Sequence, residues 1–478
     1  MEIWEAKKIE NENFKSVARL HPRLFERKSL IDDADFLIKY GIFLEKKKKF
    51  PLGYLKLWPQ DFIVEEITLA DEWTTVFPDK FIHKKRGLSP EDPVLYATLV
   101  KCGLSTIEAV EELAKKLGIE PLDIKKIIKY AGLKDKHAIT SQIISIKGGS
   151  AEKLHQISVS YFFLKNLFSG ERELFLGALK ANQFTILIRT GPDFKKEEFL
   201  KKLKEIEEKG FYNFFYLQRF GIPRLVAPYC GLYILRGDYE EAVKTALSKT
   251  GEREAIYFTA LRQEIKKLWG NWENIKEILE NFPITFQNEL KMVDYLTKNP
   301  ADFLGALNQI PRVVQLWLTS FAALLFNQKL SSYLKTGERP PQKLPLVLSS
   351  ERKDWLFYEE FLKKLGIFSI TFTLKNLKPF PKISLRRREQ NTKERAEILN
   401  YRIIPEGVIL NFNLPKDCYV NTFLSHLFNL ASGSPPKKFS NLPIDTKANL
   451  NQPTLEETLN KFSEVISSPA WRYLWRMY

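Results

Sequence analysis

The chain has 478 residues, 44% of them apolar with 35 Phe among them, which is enough for more than one buried core and sets an expectation of two or three domains. Its formal net charge of +16 favours a polyanionic partner, either nucleic acid or an anionic membrane. No apolar run of about 18 residues is present, no basic amphipathic helix with a strong apolar face stands out, and the cysteines and histidines lack disulfide or zinc-ligand spacing. Nucleic acid is therefore the expected partner, with no membrane and no metal. The N-terminus, MEIWEAKKIENENF, has no signal-type apolar region, so the expected compartment is the cytoplasm.

Residues 1–50 read as a mixed extension ending in the run Lys46–Lys49, a solvated and phosphate-facing segment. Phe62, Ile63 and Val64 read as a strand, limited on one side by Pro59. Ser105 to Gly118 reads as a helix. Ser105 and Glu108 have capping-box spacing, Ile107, Val110, Leu113 and Leu117 line one face, and Gly118 ends it. A second short helix, PLDIKKIIKY, delivers the chain to Ala131 and Gly132. Ala138 to Ile146 is rich in β-branched residues and reads as a strand. The charged stretch between them is thus a helix-to-strand connection, the kind of loop on which binding residues are often held.

Phe184 to Arg189 supplies another strand. Asp193 to Gly210 is an amphipathic helix with Asp193 as its expected N-cap and Phe199, Leu203 and Ile206 inside. The segment NFFYLQRFG then packs aromatics around Gln218 and Arg219. Helical patterns dominate residues 222–380, which read as a second domain inserted into the first. Arg386–Arg388 and a β-rich piece, Gly407–Val420, follow. The organisation expected is a discontinuous domain at 51–221 and 381–430, the insertion at 222–380, and extensions at 1–50 and 431–478, the last loosely packed.

Taken singly, the polar residues of these segments have ordinary readings. Asp135, in YAGLKDKHAITSQ, would be a solvated turn aspartate. Lys56, Lys134 and Lys136 would be surface charges, Phe62 and Phe184 core residues, and Asn182 a turn residue before its strand. Arg219 would be a structural ion-pair partner and His137 a loop residue. Four segments together overturn this. LKLWPQDFIVEEI, YAGLKDKHAITSQ, LGALKANQFTILIR and NFFYLQRFG occur in the order, and resemble the motifs, of the TruD-type tRNA pseudouridine synthases; LNFNLPKDCYV is a weaker fifth match.

The resemblance implies a fold and a reaction. The fold is α/β (α+β), a mixed and mainly antiparallel catalytic sheet with a mostly helical insertion. The reaction detaches a uridine base in RNA, by implication position 13 of transfer RNA, and rejoins it through carbon with one aspartate and no cofactor. It places that aspartate at Asp135, a basic active-site partner at Lys56, and a base-stacking aromatic at Phe184. Asn182 would bond the base or ribose, Phe62 would pack beside the site, and Lys134 would neutralise phosphate or keep Asp135 ionised. Gln218 and Arg219 would order the site or touch RNA. A monomer is expected. Three positions depart from the family pattern: Tyr216 replaces a glycine, and Ser425 and His426 replace an arginine and a glutamate. They motivate an alternative, a catalytically reduced relative that acts as an RNA chaperone. A second rival, a glycosidase, requires another carboxylate about 5–10 Å from Asp135, and Glu65 or Glu66 is the candidate.

Overall fold

The computed structural model describes residues 3–25, 29–45, 47–78, 87–89, 91–157, 159–347 and 351–466. Lys46 and the aromatic end WRYLWRMY lie outside the described residues. The chain forms two compact units. One is built from Met1–Lys48 and Tyr212–Glu394, the other from Lys49–Phe211 and Arg395–Tyr473. The N-terminal segment thus belongs to the helical unit, and the segment after residue 430 belongs to the unit that carries the sheet.

The sheet is organised around one long strand, Leu179–Thr190. Gly407–Pro415 pairs with it antiparallel from Ala181 to Arg189. Phe62–Thr68 and then Leu52–Tyr54 pair with it, also antiparallel. The sheet continues from Phe62–Thr68 through Ile139–Lys147, which is parallel to it, to Val94–Cys102 and Phe162–Gly170, which are antiparallel. A second parallel pair, Asn429–Ser432 with Leu52–Tyr54, completes a mixed and mainly antiparallel sheet.

Alternation along Val94–Cys102 sends side chains to both faces, and each face is covered. Leu95, Ala97 and Leu99 pack under Ala109, Val110, Leu113 and Ala114 of the helix Thr106–Leu117. Val100 and Cys102, with Ile63 and Ile139, pack under Leu455 and Phe462 from the C-terminal segment. That segment is not loosely packed. Its Lys447 forms a buried ion pair with Glu65 at 2.7 Å. A polar, proline-containing composition gave no sign of this, because a few apolar anchors suffice to dock a segment.

Several local expectations change. The Ser105–Glu108 capping box and the left-handed Gly118 cap are present. Ile107, however, is 48% exposed; the inner stripe runs through Thr106, Ala109, Val110, Leu113 and Ala114, one position away from it. The helix after Pro192 begins at Lys196, with no capping bond from Lys195. Asp193 instead pairs with Lys438 at 3.0 Å. The short second helix stops at Ile127, and Ile128–Tyr130 pairs antiparallel with Ile139–Lys147. The Ala131–Ala138 connection therefore closes a hairpin rather than joining a helix to a strand, since the β-branched residues before it find backbone partners in the sheet.

In the helical unit, Pro311–Thr336 is apolar nearly all round and buries Phe321, Leu325 and Phe326, as a central helix does. Phe14 of the helix Ile3–Leu20 packs edge-on against Phe25, Phe258 and Phe282. The basic runs are less free than their sequence suggests. Lys47 is buried, which pushes its ammonium down to about 7. Lys48 pairs with Asp35 at 3.0 Å. Arg387 is held by Glu389 at 2.8 Å and by Glu351 and Asp354 at 3.3 Å each. No helix among the described residues is long and apolar enough to cross a membrane.

Leu455→Ala is expected to cost about 2–4 kcal/mol through the cavity it leaves on the sheet. Urea unfolding measures it; a midpoint equal to wild type would mean the C-terminal segment is dispensable to the core.

Candidate active site

Register decides which side chains share a face. Phe62, Val64 and Glu66 stand opposite Ile186, Phe184 and Asn182. Side chains alternate along a strand, so Phe62, Glu66, Asn182 and Phe184 project to one side and Glu65 to the other. The hairpin loop Ala131–Ala138 brings Lys134 and Asp135 to this side, and the connection after Leu52–Tyr54 brings Lys56.

Lys56 carries the geometric centre of the site. Its Nζ is 2.9 Å from Asp135 Oδ1 and 4.0 Å from the centroid of the Phe62 ring. The cation thus has a carboxylate at one side and an aromatic face at another. Its backbone is left-handed, φ 58°, an uncommon conformation for a side chain of this size and one that has to be held by its surroundings. Phe62 meets Phe184 edge-on at 6.2 Å, and Phe184 stacks on Phe412 at 5.5 Å. Phe184 is buried to 6% exposure, an aromatic floor rather than a projecting ring.

Asp135 keeps 42% of its side chain exposed. Burial by itself would raise its pKa; Lys56, through charge and hydrogen bond, and then Lys101 and His137 outweigh that and hold the carboxyl below its ordinary range. Lys134 takes a different partner. Its Nζ is 2.7 Å from Glu66 Oε2 and donates to Asn182 Oδ1. Burial lowers the Lys134 pKa, with Glu66 opposing. Both candidate second carboxylates are therefore committed, Glu66 to Lys134 and Glu65 to Lys447, and a cation rather than an acid is bonded to Asp135.

The loop is held from beneath. Lys101, on the strand Val94–Cys102, is fully buried and donates to the carbonyls of Leu104 and Asp135 at 2.7 Å and of Lys134 at 3.4 Å. Burial pushes its ammonium down to about 7, yet three carbonyls call for three N–H donors, which only the protonated form supplies. Thr106 Oγ1 accepts from the Lys134 amide at 2.9 Å and donates to Gln142 Oε1 at 2.8 Å. Gln142 Nε2 in turn donates to the Gly132 carbonyl at 3.0 Å. Lys136 is tied to Glu108, the capping residue, at 2.9 Å. The buried polar atoms thus form a connected network under the loop.

The chain matches the family described as tRNA pseudouridine synthase D (TruD) over residues 46–345. It is 28% identical over 313 residues to the tRNA pseudouridine synthase D of Aquifex aeolicus, covering 64% of this chain and 74% of that one. It is 30% identical over 335 residues to the "Probable tRNA pseudouridine synthase D 2" of Methanocaldococcus jannaschii, covering 69% and 70%. The chain belongs to the TruD family. A TruD crystal structure from Methanosarcina mazei, 23% identical, has the same fold, with a TM-score of 0.60 over 82% of this chain and 97% of that one. This is a TruD-type pseudouridine synthase, an isomerase acting on tRNA.

Six of the residues singled out in the sequence come together in the sheet unit: Lys56, Phe62, Lys134, Asp135, Asn182 and Phe184. Gln218 and Arg219 belong to the helical unit. There Gln218 is exposed, and Arg219 lies 5.4 Å from the Phe215 ring. The departures from the TruD pattern have local explanations. Tyr216 is buried and its hydroxyl donates to Asp32 at 2.6 Å, a residue of the N-terminal segment that also pairs with Arg253 at 2.5 Å. Ser425 and His426 are buried, and Ser425 Oγ donates to the Thr422 carbonyl at 2.7 Å, with His426 Nδ1 bonded to the same oxygen at 2.8 Å. Lys101 was not anticipated. The one available signal was a lysine in an otherwise apolar strand, LVKCGL, where a charge has to find buried partners.

Two outcomes follow from this geometry. A carboxylate with a depressed native pKa stabilises the fold above its unfolded value, about 4, and loses that contribution only as pH falls through the lower native value. Lys56→Met is expected to move the Asp135 titration upward, read by carboxyl carbon NMR; an unmoved midpoint would show that the pair does not set it. Lys101→Met is expected to lower turnover by about 10- to 100-fold with KM changed little, as the loop carbonyls lose their donors and the loop shifts; single-turnover kinetics on tRNA measures this.

Proposed function

We propose that Asp135 is the catalytic carboxylate of this pseudouridine synthase and that its target is a uridine of transfer RNA, at position 13. The observation that carries the assignment is the Lys56–Asp135 pair at 2.9 Å, on a partly exposed face above Phe62 and Phe184. Isomerisation breaks the bond from uracil N1 to ribose C1′ and forms one from C5 to the same carbon. The C5 proton is lost and N1 is left protonated, so nothing is consumed and no external acid or nucleophile is required. An ionised carboxylate attacks C1′ or removes a ribose proton; either route needs Asp135 deprotonated, which Lys56 and Lys101 favour. Breaking the glycosidic bond leaves negative charge on the uracil, and the Lys56 ammonium is placed to meet it. Phe184, 6% exposed beside the fully buried Phe62, forms an apolar floor beneath the space where a base taken out of its stack would sit. Gln218 and Arg219 contribute RNA contacts from the helical unit. The surplus of positive charge, +16, suits a polyanion. The protein works as a monomer in the cytoplasm.

The chaperone alternative loses its motive. Tyr216, Ser425 and His426 each have buried local partners, and none belongs to the Asp135 constellation. Asp135→Ala is expected to reduce pseudouridine formation in transfer RNA by at least about 1000-fold while leaving RNA binding within about threefold. Mapping pseudouridine after incubation with each protein tests it; full activity in the variant would remove Asp135 from the chemistry.

A further inference from the structure

A second turn, residues 171–178, lies beside the Asp135 loop, and nothing in the chemistry above uses it. It is pinned to the sheet unit at several points. The Leu174 amide donates to Ser145 Oγ at 2.9 Å, and Glu173 pairs with Lys147 at 3.4 Å. The Gly177 amide donates at 2.7 Å to the carbonyl of Ala131, where the Asp135 loop begins. Gly177 has φ 92°, a conformation that favours glycine, and the Ala178 amide closes the turn on the Phe175 carbonyl at 3.0 Å. Leu179, the next residue, is buried against the loop: a Cβ on Gly132 would come 3.6 Å from its Cδ2. Although so firmly held, turn and loop expose Leu133, Phe175 and Leu176, at 64%, 65% and 69%. All three stand within two residues of the Gly177–Ala131 bond. Single exposed apolar residues are ordinary, but three grouped on pinned backbone mark a surface that another molecule covers.

We propose that Leu133, Phe175 and Leu176 form an apolar wedge for RNA, positioning residues that stack on the nucleotides flanking the target uridine and fill the place its base leaves. The proposal rests on the reading of Asp135 as the uridine site. The position of the surface decides its occupant. Leu133 is two residues from Asp135, and the turn leads directly into Leu179–Thr190, the strand that carries Asn182 and Phe184. A protein docked there would cover the approach to Asp135. RNA whose uridine reaches Asp135 has to lay its neighbouring nucleotides beside that residue. A base that leaves its stack loses its stacking contacts, and the bases on either side are left with an open face. Apolar side chains inserted there replace the lost contact, and they do so without regard to base identity, because every base has a π-face. Pinning matters for the same reason: a loose turn would first have to be ordered, at a cost in conformational entropy. The wedge thus favours extrusion of the uridine without touching the reacting atoms.

Single-turnover pseudouridine formation at saturating protein is measured on the natural transfer RNA and on the same RNA with abasic residues on both sides of the target. The proteins are wild type, Phe175→Ala, Leu176→Ala and Phe175→Trp. The alanine changes remove exposed atoms, so the fold is expected to stand. Each is expected to slow the natural RNA by about 10-fold, whereas Phe175→Trp, which keeps a stacking face, stays within about threefold of wild type. On the abasic RNA the alanine variants are expected to match wild type within about threefold, since the stacking partner is gone for all of them. Losses that multiply on the abasic RNA, or alanine variants as fast as wild type on the natural RNA, would overturn the wedge. Asp135→Ala is run alongside. Activity retained in that variant removes the site itself, and the wedge with it, a failure distinct from that of the wedge alone.

Discussion

A buried lysine under a loop is the constraint on which the site depends. Lys101 has no solvent and ends among three backbone carbonyls, one of them that of Asp135. A hairpin loop has few ways to present backbone oxygens inward unless a cation is there to receive them. Once they turn inward, the Asp135 side chain is left on the open side, within reach of Lys56. The same ammonium adds to the positive surroundings of that carboxylate. Thr106, Gln142 and Glu108 then fix the neighbouring backbone and side chains, so one capped helix and two strands hold one short loop. The Asp135 carboxylate is placed by elements that do not touch its side chain.

The three lysines around Asp135 divide the electrostatic work by burial. Lys56 is partly exposed and pairs directly with the carboxylate, where a cation can still approach a substrate. Lys134 is buried and neutralised by Glu66, so it acts on Asn182 rather than on Asp135. Lys101 is buried, has no carboxylate side chain in hydrogen-bond contact among the described residues, and works on the backbone. Residues alike in sequence thus do three jobs, because the same charge behaves differently in different surroundings.

Much of this was legible beforehand. The motif order pointed to Asp135, Lys56, Asn182 and Phe184, and periodicity found the helix at 106–117 with both caps. Other features were not local enough to read. The docking of Leu455 and Phe462 joins residues more than 300 positions from their partners, with no periodic pattern to announce it. Asp193 had the composition of a cap but found Lys438 instead. Phe184 resembled a stacking ring, yet its strand neighbours bury most of it between Phe62 and Phe412.

The sequence by itself determined the family and the reaction, and it singled out Asp135 as the candidate carboxylate, because those rest on residue types at short fixed spacings. It also determined that a polyanion is the natural partner, because net charge is a sum and needs no geometry. Only the tertiary structure decided which lysine pairs with Asp135, which clamps the loop, and which bonds Asn182. Those choices depend on strand register and burial. Shifting a strand by one residue would send Glu66 and Asn182 to the wrong face while leaving every motif intact.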